Sequence, residues 1–221
     1  MSLGAGFTPE ELASKFPPPP DIAILQDRLR TGDIVVRTAS TELWHIYKRG
    51  GKHPANWNAM RHFGPVDARF DHHEPPPHEQ ARGILYLATL LGTCLAEVFQ
   101  ATKIIDRGRD QPWAVAHTAR RAMRLLDLTG AWPTRVGASM LINDGPRVLS
   151  RAWSTAIYAA YPDVDGLLYA SSMYKHEPCI ALYERGADSL PARPRFNRAL
   201  MEPVLLNALA TVGDEIGYDL V

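Results

Sequence analysis

Short apolar runs bounded by turn residues alternate along the chain with segments of helical periodicity. Runs rich in β-branched and aromatic residues predict strands at residues 33–39, 83–89, 113–118, 124–128, 166–171 and 179–184. Apolar residues spaced three and four apart predict helices over 91–102, 148–161 and 205–216. Strands and helices interleaved in this irregular way predict a mixed α+β domain, with a sheet of about six strands and flanking helices.

Residues 40–82 show neither period and are rich in His, Pro, Trp and Asn. They predict a long loop region over the sheet, and long loops in compact domains are often functional. Possible metal ligands cluster there, at His62, Asp71, His72, His73, Glu74 and His78. No established ligand spacing occurs, and adjacent side chains of an extended chain point apart. The cluster is therefore predicted to be a solvated loop, and no metal is expected.

The N-terminal segment differs in composition from the rest of the chain. Four consecutive prolines, Pro17 to Pro20, favour a polyproline II arm, and Thr8 followed by Pro9 can begin a short helix before it. We predict an N-terminal extension over residues 1–31 and a single domain over 32–221 that includes the C-terminal helix. The role of the arm stays open.

Composition narrows the class of protein. The 221 residues are 46% hydrophobic and 22% charged, as in ordinary globular proteins. Twenty-four basic residues offset twenty-four acidic ones, so direct nucleic-acid binding is not expected. No segment has the length of a membrane span or the design of a signal peptide, which predicts a cytoplasmic protein. Cys94 and Cys179 sit in apolar contexts and are predicted to be reduced packing residues. The sequence does not determine whether the protein forms a homo-oligomer.

The common phosphate-binding and nucleophile motifs are missing from the sequence. It contains neither the Gly-x-Gly-x-x-Gly turn of dinucleotide-binding folds nor the phosphate-binding loop of nucleotide hydrolases. The Gly-x-Ser-x-Gly elbow of serine hydrolases is also missing. A nucleotide would have to be held in another way.

Two charged residues occupy positions that packing does not explain. Arg37 ends the apolar run 34–36, and its planar guanidinium suits phosphate or carboxylate oxygens. Glu97 lies at the margin of the apolar stripe of its helix, where a carboxylate can stabilise developing positive charge. A surface arginine closing an edge strand and a solvated helix glutamate are the alternatives.

Two polar residues lie on apolar strands. Tyr86 faces the side opposite Leu85 and Leu87, and Ser171 shares a face with Tyr169. Tyr86 could stack on a planar ring, and Ser171 could bond a sugar hydroxyl or a phosphate. A core tyrosine and a serine at a strand end are equally compatible with the pattern.

Four motifs in order resemble the RES-domain family, which is named for its Arg, Glu and Ser. They are Asp-Ile-Val-Val-Arg at 33–37, Ala-Arg-Phe at 68–70, Gly-Ile-Leu-Tyr-Leu-Ala at 83–88 leading into Leu-Ala-Glu-Val-Phe at 95–99, and Asp-Gly-Leu-Leu-Tyr-Ala-Ser at 165–171, followed by Cys-Ile-Ala-Leu-Tyr at 179–183. The resemblance covers residues 32–185.

The resemblance implies a split sheet similar to that of diphtheria-toxin-type ADP-ribosyltransferases, with NAD⁺ as substrate and no cofactor. Members of the family consume NAD⁺ by hydrolysis, by phosphorolysis or by transfer of ADP-ribose to a protein. Several are the toxins of RES–Xre toxin–antitoxin pairs, which implies an Xre-like antitoxin partner. The acceptor and the antitoxin's identity stay open.

The resemblance also implies roles for five residues. Glu97 would stabilise the ribosyl cation or hold the ribose hydroxyls, and Arg37 and Arg69 would bridge the pyrophosphate. Tyr86 would cover the nicotinamide ring, and Ser171 would orient its ribose. Ser172 follows directly, so either Ser171 or Ser172 could be the serine of the site.

Two other functions remain in view. One is a non-catalytic protein-binding module that uses the same cleft, and the other is a hydrolase of a different nucleotide. Convergence of Arg37, Arg69 and Glu97 on one pocket is the feature that separates these functions, and if the three residues diverge the NAD⁺-consuming enzyme is excluded.

Overall fold

Eleven strands and six α-helices follow one another between residues 17 and 221, the part of the chain that the computed structural model describes. The strands are β1 (Ile34–Arg37), β2 (Glu42–Lys48), β3 (Arg61–Gly64), β4 (His78–Ala88), β5 (Ile104–Ile105), β6 (Pro112–Thr118), β7 (Met123–Asp127), β8 (Gly166–Ala170), β9 (Pro178–Tyr183), β10 (Phe196–Ala199) and β11 (Asp219–Leu220). The helices are α1 (Ile22–Asp27), α2 (Leu91–Phe99), α3 (Trp132–Val136), α4 (Leu141–Asp144), α5 (Arg147–Ala160) and α6 (Leu206–Ile216). Short 3₁₀ turns lie at Glu184–Ser189 and Pro203–Leu205.

The main sheet is split. Its strand order is β1–β7–β8–β9–β4–β2–β6–β10, with β3 added to β4, and β5 pairs with β11 separately. The strands β2 and β4 are joined by a single residue pair, Trp44 with Ala88. Two half-sheets therefore meet at one point and diverge from it, which confirms the expected mixed, split architecture.

The six predicted strands are all present, but the predicted number of strands was too low. The main sheet alone has nine. Three of its strands, β2, β3 and β10, come from segments in which polar residues interrupt the apolar alternation that marks a strand.

The predicted long loop over residues 40–82 was wrong, because it contains β2, β3 and the start of β4. Strand β2 pairs with β6 along its whole length. Its buried face carries Leu43, His45 and Tyr47. A histidine in the middle of that face breaks the apolar alternation, and this is why the strand was missed.

Helices cover both half-sheets. Helix α5 buries Trp153 and Ile157 in the core over the β7–β8–β9 side. Helix α6 places Leu209 against Leu95 and Phe99 of α2. The three helices predicted from periodicity thus correspond to α2, α5 and α6.

Part of the predicted N-terminal extension packs on the domain. Leu25 of α1 is fully buried, and its carbonyl oxygen accepts a hydrogen bond from the Tyr161 hydroxyl at 2.5 Å. The carbonyl oxygen of Pro17 accepts one from the Trp153 indole at 2.8 Å. The predicted helix starting at Thr8 lies outside the described residues, and the division at residue 32 stays a prediction.

No helix in the described part of the chain combines the length and the apolar character needed to cross a membrane.

Candidate functional site

The gap between the two half-sheets forms a cleft of two adjoining cavities. The first, of about 270 Å³, lies between β2 and β4 and is called here the β2–β4 cavity. The second, of about 350 Å³, lies between α2 and the start of α5 and is called the α2–α5 cavity. Four residues line both: Tyr86, Glu97, Val98 and Tyr169. Glu97 therefore lies at the junction of the two cavities.

Glu97 is held by Ser171, which comes directly after β8. The Ser171 hydroxyl donates to Glu97 Oε1 at 2.6 Å. The same Oγ accepts the backbone N–H groups of Met173 and Tyr174, each at 3.1 Å. Its single hydrogen is thus directed to the carboxylate. The buried Ser171, rather than the exposed Ser172, is the serine in contact with Glu97.

A second chain of contacts reaches Glu97 from α5. The Gln100 side-chain amide donates to the Glu97 carbonyl oxygen at 2.7 Å and approaches Oε2 at 3.5 Å. Arg147 donates to Gln100 Oε1 at 2.9 Å and to Asp67 Oδ2 at 2.8 Å. Sequence reasoning missed both residues. The spacing of three from Glu97 on one helix could have indicated Gln100, but nothing local indicates Arg147.

Arg69 and Glu97 converge on the α2–α5 cavity, as predicted. The guanidinium of Arg69 donates to the carbonyl oxygen of Gly145. Burial, and secondly the charge of Arg147, lower the pKa of Arg69, while Glu97 and Asp144 oppose that shift. No carboxylate of the described residues forms an ion pair with Arg69. Its positive charge is therefore free to act on an anion in the cavity.

Tyr86 lies on β4 and borders both cavities. Burial raises the pKa of its hydroxyl well above the usual range, so the phenol stays neutral. Tyr169, on β8, is buried across the cleft and packs against Phe70 with ring centroids 4.7 Å apart. Two aromatic side chains thus border the position of Glu97.

Arg37 does not reach the cleft, and its predicted place in the site needs correction. It lies on the edge strand β1, which pairs only with β7, and it lines neither cavity. Four strand spacings separate β1 from β4, a distance of about 19 Å. That is beyond the reach of an arginine side chain, so the predicted convergence holds for Arg69 and Glu97 alone.

Arg61 enters the cleft instead. It lies on β3 opposite Ile84 of β4 and lines the β2–β4 cavity. Its Nη1 forms an ion pair with Asp71 Oδ2 at 3.0 Å. Sequence reasoning missed it because residues 40–82 were predicted to be a loop.

The histidine-rich cluster is a structural feature rather than a solvated loop. Asp71, His72 and His73 are buried, although His62, Glu74 and His78 are exposed. Asp71 accepts the backbone N–H of Val66 at 2.6 Å and contacts His73 Nδ1 at 2.5 Å. Among residues 17–221, no group of three His, Cys, Asp or Glu is placed to hold a metal ion.

Both cysteines are unpaired and buried, as predicted. Burial raises the pKa of Cys179 to about 12 and that of Cys94 well above its usual value. Both thiols line the β2–β4 cavity and remain protonated at neutral pH.

The family model of the RES domain matches residues 42–200. This chain belongs to the RES-domain family. The match includes Arg69, Tyr86, Glu97 and Ser171 and begins after Arg37. The resemblance seen in the sequence is confirmed, but its first motif, at 33–37, lies outside the matched RES domain.

The fold of this RES domain is similar to that of a chain in the crystal structure of the M. tuberculosis MbcT–MbcA toxin–antitoxin complex. The TM-score is 0.54 and the identity 16%, over 86% of this chain and 96% of that chain. Among curated protein sequences, no relative matches this chain.

Proposed function

We propose that this RES domain cleaves the bond between nicotinamide and ribose in NAD⁺. One observation carries the proposal: the Glu97 carboxylate, fixed by Ser171 at 2.6 Å, lies where two cavities of the cleft meet. Cleavage of this bond builds up positive charge on the ribose ring. An oriented carboxylate at the reacting carbon stabilises that charge.

The cavity walls support a division of tasks. The unpaired charge of Arg69 suits the pyrophosphate oxygens. Tyr86 borders both cavities and can cover the nicotinamide ring. As the carbon–nitrogen bond breaks, its electron pair leaves with nicotinamide. An acceptor oxygen then forms the new bond to the anomeric carbon and gives up its proton. Water, phosphate and a protein hydroxyl all remain candidates.

We also propose that the protein is the toxin of a toxin–antitoxin pair, with an Xre-like antitoxin that covers the cleft. RES-domain membership supports this, and so does the similarity in fold to a chain of the MbcT–MbcA toxin–antitoxin complex. A protein that occupies the cleft would keep NAD⁺ from Glu97.

Arg37 diverges from Arg69 and Glu97 and so fails the criterion that the sequence set for an enzyme, but that criterion took Arg37 as a residue of the RES domain. Arg37 precedes the matched RES domain, and Arg61 brings a second guanidinium to the cleft. A protein-binding module would not require a serine hydroxyl directed at a glutamate inside the cleft. The Ser171–Glu97 contact therefore favours chemistry over simple binding.

The test is incubation of the purified protein with NAD⁺, with and without phosphate, and identification of the products. Release of nicotinamide is expected, with ADP-ribose, its phosphate ester or a modified protein as the second product. Each second product identifies one acceptor. Absence of nicotinamide release would favour the binding-module alternative.

Glu97→Gln keeps the shape of the side chain and removes its charge, so turnover should fall by about 10²-fold or more. The matched control is Glu79→Gln, a change at an exposed glutamate of β4 outside both cavities. Circular dichroism checks the fold of both variants. Turnover like that of the wild type in Glu97→Gln would remove this residue from the mechanism.

A further inference from the structure

Unpaired polar atoms concentrate in the wall of the β2–β4 cavity. Among the described residues, nine buried side-chain nitrogen and oxygen atoms lack a hydrogen-bond partner. Four of the nine belong to residues that line this one cavity: both ring nitrogens of His45, Nη2 of Arg61 and the hydroxyl of Tyr86. The backbone of Trp57 lies near the His45 ring and that of Phe70 near the Tyr86 hydroxyl, so Nη2 of Arg61 is the atom furthest from satisfaction. A buried polar atom without a partner destabilises the fold, because it has lost its hydrogen bonds to water without replacement. Their concentration at one cavity indicates a ligand with complementary polar atoms.

Arg61 is held in place while one nitrogen of its guanidinium, the buried Nη2, has no hydrogen-bond partner. Nη1 forms an ion pair with Asp71 Oδ2 at 3.0 Å and donates a hydrogen bond to the carbonyl oxygen of Phe63. Asp71 is fully buried and is itself fixed by the backbone N–H of Val66 and by His73. The guanidinium therefore cannot swing freely, and Nη2 is presented in a fixed direction.

The charge balance of the cavity favours an uncharged ligand group. Asp71 compensates the charge of Arg61. His45 is only 4% exposed, and burial together with the nearby His117 lowers the pKa of His45 to about 4, so its ring is neutral at pH 7. Tyr86 is neutral as well. The Glu97 carboxylate also lines the cavity, at its junction with the α2–α5 cavity, and the other lining residues are mostly apolar, with Ile84 among them. A wall without an uncompensated positive charge suits a planar amide better than a phosphate.

The neighbouring α2–α5 cavity has the opposite character. Arg69 lines it without a carboxylate partner among the described residues. An anionic group gains more there than beside the compensated Arg61.

We propose that Arg61 is a specificity-determining residue whose Nη2 donates to the carboxamide oxygen of nicotinamide. This inference rests on the proposed function and assigns the two ends of the substrate. The nicotinamide lies in the β2–β4 cavity, the pyrophosphate lies toward Arg69, and the reacting carbon lies beside Glu97, which borders both cavities.

The experiment measures the binding of nicotinamide and of ADP-ribose separately, by titration calorimetry on the full chain. Arg61→Lys retains the ion pair with Asp71 but has no second nitrogen in a fixed fork. We expect nicotinamide affinity to fall about tenfold or more, with ADP-ribose affinity unchanged within about twofold. Arg69→Lys is the crossed control, and it should weaken ADP-ribose and leave nicotinamide unchanged.

A double variant, Arg61→Leu with Asp71→Asn, removes both charges together and leaves neither buried alone. It should lose nicotinamide affinity like Arg61→Lys, and thermal melting checks that it folds. Nicotinamide binding like that of the wild type in both variants overturns the proposal. So does a wild-type protein that does not bind nicotinamide, or an equal loss of nicotinamide affinity in Arg69→Lys.

The outcome separates this proposal from the proposed function. If NAD⁺ is cleaved and Arg61→Lys binds nicotinamide normally, only the role of Arg61 falls. If no NAD⁺ is cleaved but Arg61→Lys loses nicotinamide affinity, the nicotinamide subsite stands and the catalytic proposal falls.

Discussion

At the scale of single residues, position rather than chemical type separates the arginines of this chain. Arg69 borders the α2–α5 cavity, whereas Arg37 lies on an edge strand and lines neither cavity. We therefore expect Arg69 to contribute to the site and Arg37 not to contribute.

Arg69→Ala should lower kcat/KM for NAD⁺ by about 10²-fold, because it removes a charged contact and the orientation that this contact provides. Arg37→Ala should stay within about twofold of the wild type. Steady-state kinetics on both variants, with circular dichroism as the check on folding, decides the matter. An equal loss in the two variants would mean that Arg37 reaches the substrate.

The two cysteines should be dispensable for turnover. Burial keeps Cys94 and Cys179 as thiols, and a thiol is a poor nucleophile. Cys94→Ala and Cys179→Ala should each retain activity within about threefold, with a small loss of stability from the emptied volume. Loss of all turnover in folded Cys179→Ala would assign a chemical role to that sulfur.

At the scale of elements, the carboxylate of Glu184 connects its own 3₁₀ turn to strand β4 and helix α5 by hydrogen bonds. Glu184 begins the 3₁₀ turn after β9, accepts the Gly83 N–H of β4 at 2.8 Å and accepts the Tyr158 hydroxyl of α5. His72 approaches the same carboxylate at 3.5 Å. Burial alone would raise the pKa of Glu184, but these contacts outweigh it and lower the pKa to about 2.

This shift predicts a defined dependence of stability on pH. Because the pKa of Glu184 is lower in the folded chain, its contribution is complete above pH 4.5 and is lost as the pH falls toward 2. Glu184→Gln should be less stable than the wild type at pH 7, by at most about 3 kcal/mol. Urea unfolding curves measure the difference in free energy of unfolding between the wild type and Glu184→Gln, and this difference should become smaller as the pH falls from 4.5 toward 2. The control Glu79→Gln, at an exposed position, should not differ from the wild type in this way. A stability difference that does not change with pH would show that the charge of the Glu184 carboxylate is not its cause.

At the scale of the whole molecule, helix α1 precedes the matched RES domain and packs on its core. The RES-domain match starts at residue 42 and the predicted domain at residue 32, yet Leu25 of α1 is part of the main core. Helix α1 is attached to the end of α5 through Gln26, whose amide donates to the Ala160 carbonyl oxygen at 3.0 Å.

Leu25→Ala should therefore lower the free energy of unfolding by about 2–5 kcal/mol, the range for a buried leucine. Ile24→Ala is the matched control on the same helix, since Ile24 is 40% exposed, and it should cost less than about 1 kcal/mol. Urea unfolding of the full chain measures both. Equal effects of the two changes would show that α1 contributes little to the core.

Much of this protein was determined by local sequence. Six strands and three helices follow from apolar periodicity, because a buried face repeats every two residues in a strand and every 3.6 in a helix. The placement of Tyr86 and Glu97 at the same cleft is also local, since β4 ends at Ala88 and α2 begins at Leu91. Ser171 was indicated by its place at the end of a strand.

Only the tertiary structure decided which strands are neighbours. It placed β1 at the sheet edge, with Arg37 away from the cleft, and β3 beside β4, with Arg61 inside the cleft. It also brought Arg147 to Gln100. Periodicity specifies which face of a strand is buried but not which strand it joins. Strand pairing uses backbone groups that all residues except proline share, so the order of strands follows from the packing of the whole chain.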